Sequence, residues 1–299
     1  MDSRILNRLA PFREEALKRG IPAQDVERWI ATARPTATLV TSGDGPLAGR
    51  FGGPLMLPPD APDPWYPLLA TLDCAALTAG VAGLQLPPDG HMLLFGFPFP
   101  DGHGGEARYI PAGTPVEERR PAGAALYHDT SDGEVKEDTE ILELYAQFPQ
   151  DELQVSADVC LPSHFVTRSP DSPYVDAPLP SHPLAFKLTE AWACVSGEIM
   201  ADGPLQIGGY ASHECTETDP VMDAAGQAQT ARQERVTAGC AQPADAEELP
   251  APEHWTLLAQ WDVGGLRGRE GYTLHWVIPK QDLADRRFDR VYGTGFWNP

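Results

Sequence analysis

The chain has 299 residues, enough for one large domain or two ordinary ones, and at that length neither disulfides nor a metal are needed to bury a core. Its 31 prolines and 28 glycines interrupt helices too often for a helical bundle or coiled coil. Acidic residues number 43 against 22 basic ones, and the resulting charge of −21 argues against nucleic acid and membrane surfaces as partners and favours a basic protein or a cationic small molecule.

Charges spaced through the first twenty residues do not suit an export signal, and no apolar run has the length of a membrane-spanning helix. Five cysteines without a CxxC spacing read as reduced thiols, so a cytoplasmic location is expected. Residues 1–34 form a predicted N-terminal helical segment. Pro11 suits a first helical turn, Gly20 and Pro22 a stop, and Val26, Trp29 and Ile30 share one face of a second helix ended by Pro35. Residues 35–299 are expected to make one domain from two related halves, about 35–150 and 184–299. Thr36–Val40 reads as a strand, and the short apolar runs between Phe51 and Pro100 read as strands and loops more than helices. Thr139–Phe148 has helical spacing, Leu184–Leu188 reads as a strand, and Asp219-Pro220 opens a helix to about Arg235. Gln242–Glu253 is Pro- and acid-rich and reads as loop. Strands follow at Trp255–Trp261 and Tyr272–Ile278, the second alternating Tyr272, Leu274, Trp276 and Ile278 against Thr273, His275 and Val277. Gln281–Phe288 is a short final helix. This mixed order without a repeated βα period predicts an α+β fold: a duplicated β-rich core with a mixed or antiparallel sheet, N-terminal helices and short flanking helices.

The duplication is read from three features that recur in one order. Gly52-Gly53, the run LLATLD ending at Asp73, and Asp89-Gly90 before HMLLF are matched by Gly208-Gly209, LLAQWD ending at Asp262, and Glu270-Gly271 before YTLHW. If two such units pack symmetrically, Asp73 and Asp262 converge and one raises the other's pKa, as in a general acid–base pair. The competing reading is that each Asp caps the turn after its own strand. The Gly-Gly pairs supply positive φ or a close chain approach, either for the backbone alone or for a ligand. Candidate ligand- or partner-binding residues are therefore Gly52, Gly53, Gly208, Gly209, Tyr210, His213, Gln260 and Trp261.

Other chemistry finds little support. His213-Glu214-Cys215 holds too few ligands at too close a spacing for a metal, and neither a metal nor a cofactor is predicted. Ser196-Gly197 lacks the GxSxG elbow, and Cys74 and Cys194 lie in apolar company. Asp101–Gly105 reads as a hairpin loop. Trp255, Trp261, Trp276 and Trp297 read mainly as core.

The order of Phe51-Gly52-Gly53-Pro54, Leu57-Pro58, Trp65, LLATLD and LPPDGHMLLF, then Ile207-Gly208-Gly209-Tyr210, LLAQWD, Asp282-Leu283-Ala284 and Arg287-Phe288, resembles the YwqG-like family of bacterial proteins over about Arg34 to Val291. The resemblance implies an α+β fold with a duplicated core and a cytoplasmic location, but no activity. A role as an immunity protein against toxins is implied for some members. The chain departs from the family pattern at Thr71, at Gly265–Glu270 and in the final strand. The leading expectation is a non-catalytic binding protein with an acidic surface. The alternative is a hydrolase or lyase, or a specialised pathway enzyme, that uses Asp73 and Asp262 as acid and base in a cleft between the halves.

Overall fold

In a computed structural model of the chain, the described residues are 7–81, 83–99, 103–120, 127–129, 135–137, 139–169, 172–213, 217–240 and 247–298. The elements in chain order are α1 (Ala10–Lys18), α2 (Ala23–Ile30), β1 (Arg34–Val40), β2 (Leu47–Phe51), β3 (Leu55–Leu57), β4 (Leu68–Asp73), α3 (Cys74–Gly80), β5 (His91–Gly96), β6 (His103–Ile110), β7 (Glu117–Arg119), β8 (Tyr127–Asp129), β9 (Val135–Glu137) and α4 (Thr139–Tyr145). They continue with β10 (Glu152–Cys160), β11 (Val166–Ser169), β12 (Ser172–Pro178), α5 (Ala185–Ile199), β13 (Leu205–Gly208), α6 (Pro220–Thr237), β14 (Trp255–Asp262), β15 (Tyr272–Pro279), α7 (Lys280–Ala284) and β16 (Tyr292–Trp297). The protein is α+β.

Ten strands close into one barrel in the order β1-β10-β2-β4-β5-β6-β16-β15-β14-β13 and back to β1, and every neighbouring pair is antiparallel. The expectation of a mixed or antiparallel sheet thus resolves to antiparallel pairing in a closed ring, which leaves no exposed edge. Alternation along each strand sends one side chain in two inward. Ala37, Leu39, Ala70, Leu72, Met92, Leu94, Ala259, Trp261, Leu274 and Trp276 belong to a single buried cluster that fills the interior. Helix α3 contributes Cys74 and Leu77 to that cluster, and the segment after α4 contributes Phe148, whose ring stacks on Phe97 and meets Trp261 edge-on.

Three outer layers cover the wall. Helices α1, α2 and α5 bury Phe12, Trp29, Leu188 and Trp192 with Val159 and Cys160 of β10. Helix α6, capped by Asp219 through a 3.0 Å bond from the Val221 N–H, packs its small face on Leu257 and Val277. The two-stranded β3–β7 sheet covers Leu68, Leu93 and Phe95.

Three stretches differ from the sequence reading, the first being the final helix, expected over Gln281–Phe288 and found as Lys280–Ala284 because the backbone turns left-handed at Arg286. Leu184–Leu188 is the first turns of a helix, because Leu188, Ala191, Trp192, Val195 and Ile199 lie on one face at helical spacing and are buried together. Residues 74–80, read as part of a strand-and-loop region, form α3 because Asp73 caps them. Of the Asp101–Gly105 turn, residues 101 and 102 lie outside the described residues, and His103 to Gly105 open β6. Part of the Gln242–Glu253 loop, up to residue 246, also lies outside them. No helix among the described residues is long and apolar enough to cross a membrane.

The registers of the two strand sets agree position by position. In β2–β4, Gly49, Arg50 and Phe51 face Leu72, Thr71 and Ala70; in β13–β14, Leu205, Gln206 and Ile207 face Trp261, Gln260 and Ala259. In β4–β5, Thr71 faces Leu93 and Asp73 faces His91; in β14–β15, Gln260 faces His275 and Asp262 faces Thr273. A register shift falls between Leu68 and Ala70 in the first set and between Leu257 and Ala259 in the second.

Candidate functional site

Both Gly-Gly pairs lie in the left-handed region, with φ of 58° and 85° at Gly52 and Gly53, and of 68° and 78° at Gly208 and Gly209. Around the second pair the packing also forbids a side chain. A Cβ on Gly209 would lie 2.6 Å from Cys160 Sγ, and one on Gly208 would lie 3.0 Å from Leu84, in the loop that follows α3.

The segment 208–213 that leaves this pair is clamped by three outward-facing side chains in one cross-strand row. Gln206 Nε2 donates to the carbonyls of Gly208 and Tyr210, both at 2.9 Å. Gln260 accepts from the Ser212 N–H at 2.8 Å and donates to Ser212 Oγ at 2.9 Å. His275 Nε2 lies 3.1 Å from both Ser212 O and Gln260 Oε1. Since both neighbours are acceptors, Nε2 carries a proton. Burial pushes the His275 pKa down to about 3, against a smaller upward pull from the Ser212 hydrogen bond. Its Nδ1 is buried without a hydrogen-bond partner among the described residues. The row in the first half that matches Gln206, Gln260 and His275 is Arg50, Thr71 and Leu93. Leu93 packs there as an ordinary apolar residue under the two-stranded β3–β7 sheet.

Asp73 and Asp262 do not come together. In an all-antiparallel ring, β4 and β14 stand five places apart and run in opposite directions, so their C-terminal residues sit at opposite ends of the barrel. Each carboxylate bonds its own turn: Asp73 Oδ1 accepts from the Ala76 N–H at 3.0 Å and caps α3, and Asp262 Oδ1 accepts from the Gly264 N–H at 2.9 Å. They occupy matched places in two separate clefts. One, of about 770 Å³, is lined by Arg50, Thr71, Asp73 and His91; the other, of about 300 Å³, by Ser212, His213, Gln260, Asp262 and Thr273. Of the two readings of these aspartates, turn capping is the one their hydrogen bonds follow, and the convergent acid–base pair does not form.

The remaining candidates divide. His213 and Gln260 meet in the smaller cleft, whereas Gly208 and Gly209 line a different cavity of about 680 Å³ at the barrel end formed by the start of β1 and the end of β15. Tyr210 donates its hydroxyl to Thr32 O at 2.8 Å and carries the Arg34 guanidinium 3.9 Å above its ring. Trp261 is core, packed against Phe51 and Phe148. Gly52 and Gly53 accommodate the side chains of Gln150 and Arg50. Burial raises the thiols of Cys74 and Cys160 to about 12, well away from a reactive thiolate. Glu214 and Cys215 lie outside the described residues. Sequence reasoning missed Gln206, Ser212 and His275 as a unit, although a histidine on the outward face of an otherwise apolar strand was a visible signal.

A family model described as a domain of unknown function, DUF1963, matches residues 49–294. The chain belongs to this family. Membership assigns it no activity, and the matched span contains the smaller cleft, the larger one apart from Leu47, and the whole of segment 208–213. A search of curated proteins found no match.

Proposed function

We propose that this DUF1963 protein is a cytoplasmic, YwqG-like binding protein built from two related halves, and that the segment 208–213 is its recognition element. The matching registers, the paired register shifts, the paired Gly-Gly turns and the two strand-ending aspartates support the relation between halves. The observation that carries the binding role is the difference between them. A buried leucine and a threonine serve the first half at the positions where the second half buries His275 and Gln260. Burying a polar ring where leucine suffices is costly, and what the second half gains is a backbone segment held by hydrogen bonds at three points. A segment ordered before binding loses less entropy on binding, which favours affinity.

The double variant His275→Leu/Gln260→Thr, which installs the first half's residues, tests this. A fragment library is titrated into the ¹⁵N-labelled chain. Saturable amide shifts are expected on residues 208–213 and the adjoining cavity walls, with ligands recovered chemically unchanged. The double variant should keep the circular dichroism of the barrel and bind these fragments at least tenfold more weakly. Fragments that bind elsewhere, that bind the double variant equally well, or that are turned over would overturn the reading.

A further inference from the structure

We propose that the cavity of about 680 Å³ behind Gly208 and Gly209 binds a small amphipathic anion, a phosphate or carboxylate head on an apolar body. The inference rests on the reading of segment 208–213 as the recognition element, whose first two residues form one wall.

Its lining carries three cations, Arg34, Lys280 and Arg286, and no carboxylate. In a chain where 43 acidic residues face 22 basic ones, that sign is the reverse of the background. None of the three forms an ion pair among the described residues. Arg34 lies on the Tyr210 ring with one N–H toward Gly209 O at 3.4 Å, Lys280 donates to the Glu253 backbone carbonyl at 2.9 Å, and the nearest aromatic partner of Arg286 is Tyr109, at 5.8 Å. The three cations come from two parts of the chain, the start of β1 and α7 with the turn that follows it, and give the lining a positive charge that an anion would complement. Apart from Gln85 and Thr256 the rest of the wall, including Leu84, Leu86, Ile207 and Leu283, is apolar and suits a hydrocarbon or aromatic body.

The backbone of Arg286 is the second, independent observation. It is the one described non-glycine residue in the left-handed region, with φ of 60°. It follows the C-cap of α7, where its N–H bonds Leu283 O at 3.1 Å and the Arg287 N–H bonds Asp282 O at 2.8 Å. That helix-ending motif ordinarily takes glycine at this position. An arginine there carries backbone strain that glycine would relieve, so its guanidinium has a use other than ending the helix.

The test titrates phenyl phosphate, phenol and benzylamine, which share a ring and differ in charge, into the ¹⁵N-labelled chain. Phenyl phosphate is expected to bind saturably, shifting the amides of Arg34, Leu84, Gly208 and Arg286, and to be displaced by inorganic phosphate at higher concentration. Benzylamine should not bind there. Arg286→Gly should raise Tm while weakening phenyl phosphate at least tenfold, and Lys280→Gln should weaken it at unchanged Tm. Phenol binding as tightly as phenyl phosphate, or both variants retaining parental affinity, would overturn the anion assignment and leave the recognition segment standing. The recognition segment itself fails on the separate readout of the His275→Leu/Gln260→Thr variant.

Discussion

At the scale of single residues, His275 reports most directly on the cost of the clamp. Free imidazole titrates near 6.5 and His275 in the fold near 3, chiefly because burial penalises the charged ring. Above pH 6.5 folded and unfolded chains both carry it neutral, and stability does not change through this group. Below 6.5 the unfolded chain takes up a proton that the native chain cannot, so stability declines as pH falls towards 3. Between pH 7.5 and pH 5 that loss is about 2 kcal/mol. Other buried groups add their own slopes, which cancel when the protein is compared with His275→Leu. Urea unfolding of the two proteins at both pH values should show the parent losing about 2 kcal/mol more than the variant on acidification. Equal losses would mean that the ring is solvated or already charged.

At the scale of elements, the barrel depends on a seam where β6 and β16 meet. Gly105 faces Gly293 across it, and a Cβ on Gly293 would fall 2.3 Å from the Gly105 Cα. A Cβ on Gly105 would fall 2.6 Å from the Trp276 Nε1, which donates to Phe95 O at 3.0 Å. The glycines thus let an indole reach the wall of the interior. Gly293→Ala should destabilise the protein by about 3 kcal/mol, at the upper end for overpacking, because the obstacle is backbone and not a movable side chain. Guanidinium unfolding measures it, and a loss under about 1 kcal/mol would show that the seam can spread. Two elements were legible in the sequence: β15, buried on both faces, still shows its inward set by alternation, and α6 shows its cap and proline. Leu184–Leu188 misled because five residues of an apolar run fit either period, and only the longer span to Ile199 displays the helix. Of the site, the Gly-Gly turns and Gln260 were legible from the repeated order, and His213 from the polar run that follows the second pair. The cationic cavity was not, since Arg34 and Lys280 come to line one cavity only through ring closure, and nothing local marks Arg286 as left-handed.

At the scale of the whole molecule, the two strand sets share out the chain unevenly. The ring divides into β10-β2-β4-β5-β6 and β1-β13-β14-β15-β16, so the last position of the second set is filled by a strand from near the start of the chain. β1 pairs with β10 over seven residues and with β13 over four, and thereby closes the barrel between the two sets. The family match begins at residue 49, after β1, yet without β1 the ring has two open edges. The same strand brings Arg34 to the cavity, and its Thr36 Oγ1 donates to Ile207 O at 3.1 Å beside the second Gly-Gly pair. A chain that starts at residue 41 should therefore lose more than the outer layer of α1 and α2. Unpaired β10 and β13 edges invite pairing between copies, so the truncated chain is expected to self-associate in size-exclusion chromatography and to unfold without a cooperative transition. A monomeric, cooperatively unfolding product would mean that the matched span closes a barrel by itself, with the two sets joined directly where β1 now stands.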